Sequence, residues 1–140
     1  MSSSLEDKDK IREVLAKYCT FGDNSRFGEL AALFTPDGQW QGRMGSAKGQ
    51  ADIEALMVRT NPPAGTGPVR RHIVTNIVIT IDGDSASAQS TFMMMRESET
   101  GPMIGAVGSY NDLLTKIGGT WLIASRKVTP EIIGEARLKS

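Results

Sequence analysis

Along the first third of the chain, apolar residues recur at intervals of three and four. Ile11, Val14, Leu15, Tyr18 and Cys19 form such a stripe, which predicts an amphipathic helix from Leu5 to Phe21, broken by Gly22, Asp23 and Asn24. Phe27, Leu30, Ala31, Leu33 and Phe34 predict a second, shorter helix with Ser25 as its candidate cap. Thr35-Pro36-Asp37-Gly38 carries turn residues, Gln39-Trp40-Gln41 reads as a short strand, and Asp52 to Val58 as a third helix with Ile53, Leu56 and Met57 inward. The Pro- and Gly-rich stretch from Thr60 to Pro68 is a loop by composition.

The second half changes period. Ile73 to Ile81 is rich in β-branched residues and ends in the hairpin signal Asp82-Gly83-Asp84. Ala86 to Arg96 is the returning strand and Ile104 to Leu114 the next. Gly118-Gly119 then turns the chain into Thr120 to Thr129, and Pro130 is expected to stop that strand and leave a tail over 130–140. Helices followed by a meander of long strands predict one α+β domain over 1–140, with the helices on one face of a sheet. Alternation along the histidine-bearing strand places Ile73, Ile77, Ile79 and Ile81 on one face. His72, Val74, Asn76, Val78 and Thr80 fall on the other. Neither face suits water, and the helices cover only one, so the other is expected to meet a second subunit.

Composition narrows the function classes. Sixteen basic and sixteen acidic residues cancel, so no net field favours nucleic acid or an anionic membrane. No apolar run approaches the ~20 residues of a bilayer span, and Met1 to Asp7 lacks the basic and apolar regions of a signal peptide. One cysteine makes no internal disulfide, and one cysteine with one histidine makes no zinc site. The expectation is a cytoplasmic protein without metal and, lacking a glycine-rich phosphate loop, without a nucleotide or flavin cofactor.

His72 is the single histidine, the side chain best suited to moving a proton near neutral pH. Its tract, Arg70-Arg71-His72-Ile73-Val74-Thr75-Asn76-Ile77, runs on to Asp82-Gly83-Asp84. Upstream lie Tyr18-Cys19-Thr20-Phe21-Gly22-Asp23 and Leu30-Ala31-Ala32-Leu33-Phe34-Thr35-Pro36-Asp37-Gly38; downstream, Tyr110-Asn111-Asp112 precedes Trp121. In order and spacing these pieces resemble the SnoaL-like enzymes, a branch of the NTF2-like superfamily, over residues 5–129. The resemblance implies an NTF2-like cone, a curved antiparallel sheet with N-terminal helices packed on its concave face. In the scytalone dehydratase, bile-acid dehydratase and hexachlorocyclohexane dehydrochlorinase members, an aspartate at the Asp23 position pairs with a histidine at the His72 position. Asp23 would accept a hydrogen bond from Nδ1–H of His72, leaving Nε2 to face the cavity as general base. The Tyr18 phenol would polarise a substrate carbonyl or protonate a departing hydroxyl.

That chemistry describes a cofactor-independent lyase or isomerase acting on a small, largely apolar cyclic molecule, in a homo-oligomer with a trimer preferred over a dimer. Scytalone-type dehydratases use a second histidine, which this chain lacks, so fewer hydrogen bonds would hold its substrate. The rival class is a non-catalytic ligand-binding or assembly module on the same fold, such as the β subunits of ring-hydroxylating dioxygenases.

Other roles stay open on pattern alone. Asp23 also suits a helix cap, Tyr18 a core tyrosine, and Asn76 either a ladder position or a donor into the cavity. Cys19 reads as small core filler. Arg126, among Leu122, Ala124 and Val128, needs an anion if buried; Asp112 is the first candidate, with Asp23 or a substrate carboxylate behind it. Met94 points with Phe92, and with Trp40, Phe34, Met57 and Tyr110 it is expected to wall the cavity. The Thr60–Pro68 loop, or the tail through Ile132, Ile133 and Leu138, is expected to cover its mouth.

Overall fold

The computed structural model describes residues 3–134. Helix α1 (Ser4–Asp23) starts at Ser3, whose Oγ accepts the Glu6 N–H at 3.1 Å, and acidic Glu6 and Asp7 sit in its positive first turn. Its inner stripe buries Ile11, Leu15, Tyr18 and Cys19. The start of α1 is pinned to the far end of the sheet. Oδ1 of Asp7 accepts from Trp121 Nε1 at 3.0 Å and from Lys116 Nζ at 3.1 Å. Helices α2 (Phe27–Ala31) and α3 (Gln50–Thr60) follow, the latter burying Ile53, Leu56 and Met57.

The strands are β1 (Phe34–Gly42), β2 (Gly45–Lys48), β3 (Arg70–Asp82), β4 (Ser85–Ser98), β5 (Gly101–Ile117) and β6 (Thr120–Ile133), in the spatial order β2-β1-β6-β5-β4-β3. Neighbours run antiparallel except β1 beside β6, which is parallel. The helices close the concave face over a core that includes Phe34, Leu114, Trp121 and Ile123. This is an α+β, NTF2-like cone. No helix among the described residues is long and apolar enough to cross a membrane.

Several local expectations are corrected. The second helix stops at Ala31, and Phe34 opens β1. Neither Ser25 nor Asp23 caps it: Ser25 has φ 57°, and the N-cap position is Arg26, with no side-chain capping bond. Thr35 to Gly38 is a detour inside β1 rather than a turn, since Phe34 pairs with Ile123 and Gln39 with Ser125. Pro130 does not end β6, which pairs with β5 as far as Ile133. Beyond Lys127, β6 has no β1 partner, so the N–H that proline lacks is not missed there. Ile132 and Ile133 are therefore strand residues; Leu138 lies outside the described residues.

The correction with most consequence for the site is in β3. Thr75 pairs with Thr91 but Val78 with Gln89, and Asn76 takes φ 52°, so a bulge resets the alternation. His72 and Val74 before it, and Ile77, Ile79 and Ile81 after it, all lie on the helix side. Ile73 is left on the outer face, 42% exposed. The four isoleucines therefore do not share a face. Instead, the register sets Ile73, Met93, Val107 and Ile132 in one row across β3, β4, β5 and β6.

Candidate functional site

Asp23 is the last residue of α1, and His72 is the third residue of β3, 49 positions further along the chain. One carboxylate holds the histidine twice. Oδ2 of Asp23 accepts the backbone N–H of His72 at 2.8 Å, and Oδ1 lies 2.6 Å from ring Nδ1. Oδ1 can accept from Nδ1 when that nitrogen carries the hydrogen, an arrangement that leaves the lone pair of a neutral ring on Nε2. The Asp23 side chain is 4% exposed and that of His72 29%.

His72 lines a cavity of about 150 Å³ between the helices and the sheet. Its wall includes Tyr18 and Cys19 from α1, Phe27 and Leu30 from α2, Met57 from α3, and Phe92, Tyr110 and Val128 from the sheet. Trp40 closes one side and donates Nε1–H to the Tyr18 hydroxyl at 2.7 Å. The floor beneath is aromatic. Tyr18 meets Tyr110 edge-on at 5.8 Å, and Tyr110 stacks on Phe92 at 4.7 Å.

Arg126 lies under both tyrosines, its guanidinium 4.1 Å from the Tyr18 ring centre and 3.8 Å from that of Tyr110. Its Nε and Nη2 make a fork to Asp112 at 2.7 and 2.8 Å, with both side chains fully buried. Nη1 is buried without a hydrogen-bond partner among the described residues. Burial opposes the arginine's charge, but the Asp112 carboxylate outweighs it and holds its pKa above the ordinary value. Burial also raises the Tyr18 phenol, against the opposing pull of Arg126 and the Trp40 hydrogen bond. Tyr110 is raised well above the ordinary value, by burial first and by the nearby Tyr18 second. Burial pushes the Cys19 thiol up as well. Tyr18 and Tyr110 are therefore neutral phenols at physiological pH.

Of the residues singled out from sequence, Tyr18, His72, Trp40, Met57 and Tyr110 line this cavity, with Asp23 directly behind His72. The others do not. Phe34 is fully buried behind Tyr18, ring centres 6.3 Å apart. Asn76 is exposed at the bulge. Met94 folds over Gly105, occupying the space a side chain there would need. Arg126 touches the cavity only through the two tyrosines and is paired with Asp112. Sequence reasoning missed Phe27, Leu30, Met44, Phe92 and Val128, and read Cys19, which also lines the wall, as core filler. Phe92 alone had a usable signal, its shared face with His72 across β3 and β4. From the Pro/Gly loop, Thr60 and Asn61 reach the wall; Asn61 accepts from Arg70 Nη2 at 3.0 Å and donates to the Met57 carbonyl at 2.9 Å. The rest of the loop lines a separate groove behind Asp23.

The sequence matches the model of the SnoaL-like domain family over residues 3–127. The Mycobacterium tuberculosis protein Rv2910c is 28% identical over 88 residues, which is 62% of this chain; the match spans 58% of that relative's length. Among solved structures, an NTF2-like protein with a cystatin-like fold from Novosphingobium aromaticivorans is 25% identical. It covers 95% of this chain and 86% of its own, with a TM-score of 0.80. ActVI-ORFA from Streptomyces coelicolor is 22% identical over 89% of this chain and 96% of its own, TM-score 0.79. The β subunit of a putative aromatic-ring-hydroxylating dioxygenase from Novosphingobium aromaticivorans is 21% identical over 96% and 95%, TM-score 0.74.

Proposed function

This chain belongs to the SnoaL-like domain family, and from that premise we propose that it is a cofactor-independent lyase or isomerase acting on a small, largely apolar ring ketone or its hydroxylated equivalent. His72 is the general base, Asp23 its orienter and Tyr18 the group that binds the reacting oxygen. The observation that carries this reading is the double grip of Asp23 on His72. The peptide N–H contact ties the helix end to the strand, and in this reading the contact to Nδ1 fixes the tautomer.

Nε2 of His72 takes a proton from the carbon next to a carbonyl, and the electron pair of that C–H bond moves towards the carbonyl oxygen. Tyr18 is suited to receive that oxygen. Its hydroxyl lone pair is already engaged by the Trp40 N–H, and burial keeps it protonated, so its own hydrogen remains available to the substrate. In an elimination, a β-hydroxyl then leaves with the proton held on His72, giving an enone and water. In an isomerisation, the same proton returns at another carbon. The two outcomes use one base and one oxygen site, and the substrate's own leaving group chooses between them.

Size and lining support the substrate class. Roughly 150 Å³ of apolar cavity admits benzene in another protein, so the 150 Å³ here suits one six-membered ring. Phe27, Leu30, Phe92 and Val128 offer that ring apolar contact only. The second reading, a ligand-binding or assembly module, draws on the likeness to a dioxygenase β subunit. In either reading the protein is a homo-oligomer joined through its outer sheet face, a trimer before a dimer, with the row through Ile73 and Ile132 at the contact.

One experiment separates the two classes. Cyclohexanone and cyclohexenone are incubated with the protein in D2O, and loss of the α-C–H signal is followed by NMR. The enzyme reading expects exchange faster than buffer, abolished in His72→Gln and strongly reduced in Asp23→Asn. Folded protein that binds the rings without accelerating exchange is a binding module.

A further inference from the structure

Met44 occupies an unusual position for an apolar side chain. It is 61% exposed, yet it also lines the interior cavity that holds His72 and Tyr18. It sits with Arg43 in the two-residue turn of the β1–β2 hairpin, between the paired Gly42 and Gly45. Both flanking positions need glycine. Gly45 has φ +134°, and a side chain on Gly42 would strike the Trp40 ring, whose Cη2 lies 2.5 Å from the Cβ position. The root of the hairpin is fixed, because Trp40 is bonded to Tyr18 and packed on Gly42. At its tip, outside the Gly42–Gly45 pair, no side-chain hydrogen bond or ion pair among the described residues holds Arg43 or Met44. The hairpin is thus a fixed arm whose tip carries a flexible thioether over the cavity.

We propose that Met44 is the gate and the size-selecting residue of this cavity, the side chain that a ring ligand displaces on the way in and packs against once bound. The inference rests on the reading of the cavity as a substrate site and adds which residue sets the ring size. Three features support it. The thioether has unbranched rotamers that move without cost to the backbone. Its exposed apolar surface gains a partner only when the cavity fills, so closure is coupled to occupancy. Around it, the cavity wall is made of buried or half-buried side chains, and among the half-buried ones Thr60, Asn61 and His72 are held by hydrogen bonds. Met44 is the lining residue with most freedom to yield.

The test compares phenol and 2-naphthol, a one-ring and a two-ring probe of the same chemistry, by calorimetric titration of the wild type, Met44→Ala and Met44→Phe. Met44 is a largely exposed turn residue, so neither variant should disturb folding, and thermal melts verify this. The wild type should prefer phenol. Met44→Ala should tighten 2-naphthol by about tenfold while changing phenol by less than about threefold. Met44→Phe should weaken 2-naphthol further. An unchanged ratio of the two affinities across all three proteins overturns the proposal, as does failure of either ring to bind any of them. A ratio that switches as expected in protein without exchange or turnover sustains the gate and contradicts the enzymatic reading instead.

Discussion

Asp23 and His72 meet at two points, the carboxylate taking the peptide N–H at 2.8 Å and ring Nδ1 at 2.6 Å. The first contact ties the end of α1 to the start of β3; the second orients the imidazole. Because one side chain performs both tasks, structural and chemical roles can be separated by choosing the substitution.

Asp23→Asn keeps an oxygen for the peptide N–H but offers Nδ1 an amide donor, favouring the wrong tautomer. Turnover or α-proton exchange should fall by on the order of 10²–10⁴-fold, with stability changed by about 1 kcal/mol or less. Asp23→Ala removes both contacts and strands a part-buried N–H, so it should cost about 1–3 kcal/mol as well. Exchange rates and urea unfolding of the two variants, measured side by side, check this split.

The buried phenols set an alkaline limit. Tyr18 and Tyr110 have folded pKa values raised from the ordinary 10.0, whereas the unfolded chain ionises near that value. Above pH 10 the unfolded state has therefore shed protons that the native state retains. The stability from these two groups is fully present below pH 10 and is lost as pH rises past it. Denaturation midpoints from pH 8 to 11 should fall at the alkaline end, and Tyr110→Phe should flatten that fall relative to wild type.

The Arg126–Asp112 pair is expected to matter most when only one partner is removed. Asp112→Asn leaves a guanidinium fully buried against two aromatic rings, at a cost of about 3–5 kcal/mol. Replacing both partners with apolar side chains should cost less than that single change. Chemical denaturation of the single and double variants decides it.

The elements were legible where local rules act alone. The α1 stripe, the α3 core residues and the Asp82-Gly83-Asp84 hairpin follow from spacing and turn chemistry. Legibility failed where the sheet departs from regular pairing. The bulge at Asn76 depends on how β3 meets β4, and nothing in an isolated strand announces it; alternation read straight through put Ile77, Ile79 and Ile81 on the wrong face. Thr35 to Gly38 has turn residues because β1 needs a detour there, and Pro130 is tolerated because that edge of β6 is unpaired. At the site, the approach of Tyr18, Asp23 and His72 was legible through the family resemblance and that of Asn61 through its loop, whereas Met44 belongs to a turn whose approach to the cavity only the fold creates.

In the proposed oligomer the outer-face row makes the contact. Ile73 and Ile132 are 42% and 64% exposed, and Met93 and Val107 lie between them in register. Light scattering at micromolar concentration should give an oligomer, trimer before dimer, and Ile73→Lys should shift it to monomer without unfolding. A wild-type monomer contradicts this interface.

In the proposed mechanism Asp23 keeps the hydrogen on Nδ1, so that Nε2 of His72 is a lone-pair base in the cavity. The chain has one histidine, so its imidazole ¹⁵N signals are unambiguous. A long-range ¹H–¹⁵N spectrum of the neutral ring should show a protonated Nδ1 and an unprotonated, pyridine-like Nε2. That pattern should be lost in Asp23→Asn, and the Nε2 signal should shift when a ring ketone binds. A hydrogen found on Nε2, with Nδ1 bare, would contradict this mechanism.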